Sequence, residues 1–181
     1  MPSIINASNS TGLTLTSDLS GQLQFQNNGV NLPMGGVAPA FLAYPSTNVT
    51  ITSGTQPVMV NNTEVFDTAS CFNNTGSTVG GIPAYAFLPN VAGYYLFTVV
   101  CTNEASTAPT RFALHIDKNG VAQRVADNFS TLPSCMGGSV LLYMNGTTDY
   151  ATASPYIAAT TAIYNGTIVQ TRFSGFLARG A

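Results

Sequence analysis

The chain is poor in charge. Only 7% of its 181 residues are Asp, Glu, Lys or Arg, against roughly 25% in an average soluble protein. Lys118 is the sole lysine, and Arg111, Arg124, Arg172 and Arg179 are the arginines. Five cations spread over a chain of net charge −2 assemble no basic patch, which excludes nucleic acid as the main partner. There is one histidine, His115, and there are three cysteines, Cys71, Cys101 and Cys135, without CxxC spacing. One imidazole and no cysteine cluster give no donor set for a transition metal, and an odd cysteine count gives no disulfide framework. The thiols read as reduced and packed as small hydrophobes. A single Cys71–Cys135 or Cys71–Cys101 bridge is the alternative. No run approaches the ~18 apolar residues of a membrane span, so no membrane partner is expected. The opening Met1-Pro2-Ser3-Ile4-Ile5-Asn6 lacks the basic start and apolar core of a secretory signal.

What is present is apolar, aromatic and neutral-polar. The hydrophobic fraction is 45%, with ten Phe and eight Tyr, beside twenty-three Thr, sixteen Asn and fifteen Ser. That composition buries a core and is not that of a disordered chain. Helix formers are scarce, and no window holds a 3.6-residue period over three turns. Four Asn-Gly pairs, at Asn28, Asn119, Asn145 and Asn165, mark tight turns. Between them lie short Val, Ile, Thr, Tyr and Phe runs, the pattern of a sandwich or barrel. The expected strands in 37–181 are 40–45, 48–52, 56–60, 63–68, 84–88, 93–101, 110–117, 121–126, 138–144, 148–154, 158–163 and 167–178. Asn-x-Ser/Thr triplets start at Asn6, Asn9, Asn48, Asn61, Asn73, Asn128, Asn145 and Asn165. In a glycosylated ectodomain they would be acceptor sites. Without a signal peptide, Asn at turns followed by Thr at strand starts is the better reading.

Residues 1–36 form a separate region. Leu13-Thr14-Leu15-Thr16 and Gln22-Leu23-Gln24-Phe25-Gln26 flank Ser17-Asp18-Leu19-Ser20-Gly21 and read as a hairpin arm. Leu13, Leu15, Leu23 and Phe25 share one face of it. A lone hairpin is marginal in water, so that face is expected to attach to a partner. Residues 37–181 read as one sandwich, and within it three strands are apolar on both faces. In 93–101, Tyr95, Phe97, Val99 and Cys101 oppose Tyr94, Leu96 and Val100. In 138–144, Val140, Leu142 and Met144 oppose Leu141 and Tyr143. In the last strand, Phe173, Gly175 and Leu177 oppose Phe176 and Ala178. A two-layer sandwich buries one face of each strand. The other face then belongs to a contact between chains, or lies beneath a thick loop cap. The expected contact residues are Tyr94, Leu96, Tyr143 and Phe176, with Tyr95, Phe97, Phe173 and Leu177 in the core.

Five segments carry a resemblance: Ala40-Phe41-Leu42-Ala43-Tyr44, Asn62-Thr63-Glu64-Val65-Phe66-Asp67, Phe87 through Phe97, Leu114 through Gly120, and Phe173-Ser174-Gly175-Phe176-Leu177. In that order they resemble the jelly-roll domain shared by the complement first-component globular head and tumour necrosis factor, over roughly residues 39–181. The resemblance implies an all-β jelly-roll β-sandwich that forms a homotrimer. It departs from the family where Thr148-Asp149 stands for the usual Gly-Asp, and no acidic cluster matches the calcium site of some members. The stretch Gly12 through Gly29 resembles a segment that opens structural proteins of tailed bacteriophages. Together these imply a virion-surface structural protein, a trimeric capsid decoration, cement, head-fibre or tail-fibre knob held to capsid or tail proteins by its N-terminal β-hairpin arm. A tail-associated tip that binds a receptor or host surface glycan is the alternative. A signalling ligand is a third reading.

Catalytic chemistry is not expected. His115 lies two residues from Asp117, and a serine could complete a triad with them, but no Gly-x-Ser-x-Gly elbow marks one. Glu64 and Asp67 are close yet differ in strand parity, which disfavours a glycosidase pair. No Gly-rich loop precedes a helix. The expectation is a non-enzyme with no cofactor.

Overall fold

The computed structural model describes residues 25–27, 30–32, 38–104, 109–129 and 135–181. The chain divides into two units, Met1–Gly36 and Val37–Ala181. In the first, β1 (Phe25–Asn27) pairs antiparallel with β2 (Val30–Leu32), with Phe25 opposite Leu32 and Asn27 opposite Val30. The two intervening residues are Asn28-Gly29, the dipeptide with the strongest short-range hairpin preference. The hairpin expected around residues 17–21 lies outside the described residues, apart from Phe25 and Gln26. Leu13, Leu15 and Leu23 lie outside the described residues, so Phe25 is the one expected attachment residue that is placed.

All regular elements described in the second unit are strands: β3 (Ala40–Tyr44), β4 (Val49–Ile51), β5 (Thr63–Asp67), β6 (Gly93–Thr102), β7 (Arg111–Lys118), β8 (Val121–Asn128), β9 (Cys135–Met144), β10 (Ala151–Ala158), β11 (Ala162–Tyr164) and β12 (Arg172–Gly180). One sheet has the order β5-β3-β12-β6-β9. Opposite it stand a three-stranded sheet, β10-β7-β8, and the pair β11-β4. Every pairing is antiparallel. Both layers feed one core. Phe41, Tyr95, Phe97 and Phe173 come from the five-stranded sheet, and Phe112, Leu114, Ile116 and Ile157 from the three-stranded one. The Phe41 ring stacks on Phe72 at 4.7 Å and on Phe87 at 4.5 Å, and meets Phe173 edge-on at 5.0 Å. Such pairs add to the burial of area.

Two expected strands are absent. Segment 56–60 contains Pro57 and runs irregularly; Met59 N–H donates to the Ala153 carbonyl and Val60 N–H to the Tyr164 hydroxyl instead of a ladder. Segment 84–88 is interrupted by Tyr85, whose backbone is left-handed with φ of 54°. Only Phe87 pairs there, bridging Phe72 and Ala151. In these segments Met59 and Phe87 are used for burial rather than for a strand. The expected strand 158–163 is split, because β10 ends at Ala158 and β11 begins at Ala162. Pro155 is tolerated inside β10 because β10 is an edge strand.

Three of the Asn-x-Thr triplets, at Asn73, Asn145 and Asn165, are turn devices. Asn73 Oδ1 accepts from the Thr75 N–H and hydroxyl, and Asn165 Oδ1 accepts from the Thr167 N–H and hydroxyl. Asn145 Oδ1 accepts from the N–H groups of Thr147, Thr148 and Asp149. Each is an Asx turn, in which the side chain replaces a backbone acceptor. Asn61 and Asn73 are buried, which leaves no room for a glycan on either. All three cysteines are free thiols, Cys71 and Cys101 buried and Cys135 exposed.

Gly175 of β12 lies where the aromatic core is tightest. A Cβ there would stand 2.6 Å from the Phe97 ring and 2.9 Å from the Phe41 ring. Gly175→Ala is therefore expected to destabilise the fold by about 1–3 kcal/mol through overpacking, measured by urea denaturation at fixed chain concentration.

Candidate assembly face and a buried polar cluster

Strand parity sorts the five-stranded sheet into two faces. Tyr95, Phe97 and Phe173 are fully buried in the sandwich, and Leu177 packs against that core. The opposite parity points away from it. Register places Leu96 between Phe176 of β12 and Leu141 of β9, forming one row across three strands. Tyr94 and Tyr143 face each other in the adjacent row, their rings 5.5 Å apart and edge-to-face. Tyr94 is 44% exposed, Tyr143 42%, Phe176 50% and Leu141 55%. Leu96 is half-buried between them. The structure thus brings all four expected contact residues into one apolar patch. Leu141 was not among them, although it shares the parity of Tyr143 two residues away.

The patch has a polar border. On one side runs a row of hydroxyls, Ser174, Thr98 and Ser139, with Thr98 and Ser139 joined by a 2.8 Å hydrogen bond. On the other, Arg179 pairs in register with Tyr94. The Lys118 ammonium donates to the Tyr143 carbonyl at 2.7 Å and lies 5.8 Å from its ring centroid. Lys118 is held by Asp149 at 2.8 Å. An apolar centre inside a polar rim is the anatomy of a protein–protein contact.

The outer face of the three-stranded sheet is of another kind. Phe112, Leu114 and Ile116 of β7 enter the core, so His115 and Asp117 point outward. Both are nevertheless buried, as are Thr152 and Ser154 of β10, which lie opposite Asp117 and His115 respectively. Ser154 donates to Asp117 Oδ2 at 2.5 Å, and Gln56 Nε2 donates to Ser154 Oγ at 3.0 Å. The serine beside the His115–Asp117 pair is Ser154. Its proton goes to the carboxylate and not to the imidazole, so the three groups do not form a nucleophile–base pair. His115 Nδ1 has no hydrogen-bond partner among the described residues. Burial pushes the Asp117 carboxyl above its ordinary range, against the lowering effects of Ser154, His115 and Thr152.

Other expected candidates resolve as structural. Asp67 accepts from the N–H groups of Phe72 at 2.7 Å and Ala69 at 3.3 Å, closing the turn after β5. Burial, with the Asp67 charge second, raises the Glu64 carboxyl. Arg111 holds Asp127 through two bonds of 3.0 and 2.8 Å, and Arg124 reaches the same carboxylate at 3.0 Å. Among the described residues no three His, Cys, Asp or Glu side chains come together as metal ligands.

No protein-family profile and no curated protein matches the sequence. Solved structures do share its architecture. Murine APRIL aligns with a TM-score of 0.55 at 9% identity, over 76% of this chain and 96% of that one. The PRD1 vertex protein P5 aligns with a TM-score of 0.54 at 14% identity, over 78% of this chain and 73% of that one. At these identities the likeness is one of fold. The chain is an all-β jelly-roll sandwich.

The buried imidazole makes a pH prediction. Burial, aided by Arg124 and Arg111 and opposed by the Ser154 backbone and Asp117, holds His115 below its ordinary pKa of 6.5. Above pH 6.5 neither folded nor unfolded chain protonates it appreciably. As pH falls below 6.5 the unfolded chain takes up the proton first, and stability is lost until the lowered folded-state value is passed. The stability gap between wild type and His115→Gln should therefore narrow as pH falls through that window. Urea denaturation at several pH values measures it, and a constant gap contradicts the assignment.

Proposed function

We propose that the chain is a bacteriophage virion structural protein. In this reading it is a homotrimeric capsid decoration, cement or fibre-knob module, presented at the virion surface and attached through its N-terminal unit. The observation that carries the proposal is the patch of Tyr94, Leu96, Leu141, Tyr143 and Phe176 on the outer face of the five-stranded sheet. Water-exposed aromatic and aliphatic side chains in one contiguous, polar-rimmed area call for a partner. A chain with 7% charged residues has little else to keep that surface solvated. A closed cyclic assembly answers the demand with copies of the chain itself, each presenting the patch to a different surface of the next. The PRD1 vertex protein supports the virion setting as a protein of the same fold.

Attachment is assigned to Leu13, Leu15, Leu23 and Phe25. Each such side chain contributes roughly 1.5–3 kcal/mol when buried. Three arms on one trimer multiply weak contacts through effective concentration.

Two sets of variants separate assembly from attachment. Leu141→Glu with Phe176→Glu should give monomers that keep the β-rich circular dichroism of the wild type, because both side chains are already exposed in the single chain. Phe176→Ala alone should weaken the trimer by about 2 kcal/mol if it is an anchor of the contact, read by sedimentation across chain concentrations. Leu15→Ser with Phe25→Ser should leave a trimer that melts like the wild type and no longer joins particles. Wild-type occupancy on particles would move the attachment site into the jelly roll.

A further inference from the structure

A pocket of 340 Å³ opens on the outer face of the three-stranded sheet, at the small end of the ~300–1,000 Å³ range of ligand sites. Its floor is Asp117 and Thr152, partners across the β7–β10 ladder. Gln56 and Tyr150 line it with polar groups, and Pro83 and Ala84 with an apolar wall. The core-facing residues of this sheet fix which way the pocket looks. Ile116 and Ala151 enter the sandwich, so Asp117 and Thr152 point away from it. The pocket therefore lies on the opposite layer from the apolar patch, and shares no residue with it.

Asp117 is the informative group. It is 6% exposed, yet only one of its contacts is short. Ser154 donates to Oδ2 at 2.5 Å, whereas Thr152 reaches Oδ2 at 3.5 Å and Gln56 reaches Oδ1 at 3.4 Å. An N–H donor normally sits about 2.7–3.2 Å from its acceptor. A carboxylate has about four acceptor sites, so Oδ1 in particular has capacity that the protein leaves unused. A buried polar atom of this kind calls for additional donors. The remaining polar groups are both donors and acceptors: the Thr152 and Tyr150 hydroxyls and the Gln56 amide. That mixture suits vicinal hydroxyls, which donate to a carboxylate and accept from an amide. It suits an ammonium group less well, since Gln56 already turns its own donor toward the carboxylate. Pro83 and Ala84 offer a surface for the C–H face of a ring.

We propose that the pocket over Asp117 and Thr152 binds one neutral sugar ring, the terminal residue of a glycan, with Asp117 accepting from two adjacent hydroxyls and Gln56 and Tyr150 completing the contacts.

Saturation-transfer NMR on the full chain tests it, with methyl glucoside, methyl galactoside, methyl mannoside and N-acetylglucosamine at millimolar concentration, and with ethylammonium as the cationic probe. At least one sugar should receive saturation and shift the amide signals of Thr152 and Tyr150. Ala84→Leu, which fills the pocket from its wall, should abolish the signal. Gln56→Ala, at an exposed loop position, should weaken binding, and Asp117→Asn should weaken it by about tenfold or more, as expected for loss of a charged acceptor. Should Asp117→Asn fail to fold, the two loop variants decide alone. Silence from all four sugars, transfer that survives Ala84→Leu, or binding of ethylammonium alone overturns the proposal. None of these variants touches the apolar patch, so sedimentation reads the fate of the assembly separately.

Discussion

The structure depends on β6 carrying apolar side chains on both faces. Tyr95, Phe97, Val99 and Cys101 fill the sandwich completely, and the alternate residues Tyr94, Leu96 and Val100 have to go somewhere else. β6 lies between β12 and β9, and those neighbours repeat its character, so three adjacent strands present Phe176, Leu96, Leu141 and the paired tyrosines together. A jelly roll has two layers and one core. The second apolar face therefore lies outside the core and stands exposed in the single chain, where the scarcity of charge leaves little to keep it in water.

The two outer faces of the sandwich have opposite chemistry, and sequence composition explains how. On the five-stranded sheet, polar groups retreat to a border of hydroxyls, Lys118 and Arg179. On the three-stranded sheet, His115, Asp117, Thr152 and Ser154 sit where solvent would be expected but are buried, and Gln56 and Pro83 stand with Asp117 and Thr152 around the pocket. The segments around Gln56 and Pro83 are irregular because their hydrogen bonds run to scattered partners, such as Met59 to Ala153 and Val60 to Tyr164. One layer thus offers a flat apolar surface and the other a recessed polar one.

Long strands were legible in the sequence because alternation is a local signal. β6, β9 and β12 and their core parity follow from period two alone, and the same parity includes Leu141. The turns were legible too, since Asn-x-Thr closes its own turn within three residues at Asn73 and Asn165. What failed was non-local. Segments 56–60 and 84–88 have strand-like composition, but Pro57 and the left-handed Tyr85 divert them into loops that cover the sheets. Ser154 stands 37 positions from the Asp117 it contacts, a partnership that only the β7–β10 register creates. The hairpin β1–β2 turns on Asn28-Gly29, itself a local signal that the sequence carries.

Mass in solution tests the central claim most directly. Sedimentation equilibrium of the full chain at micromolar concentration should return three times 18.8 kDa, with no monomer on dilution until well below that range. A stable, soluble species of 18.8 kDa under the same conditions would contradict it. The exposed rings of Tyr94, Tyr143 and Phe176 would then be a surface that water tolerates and not an interface.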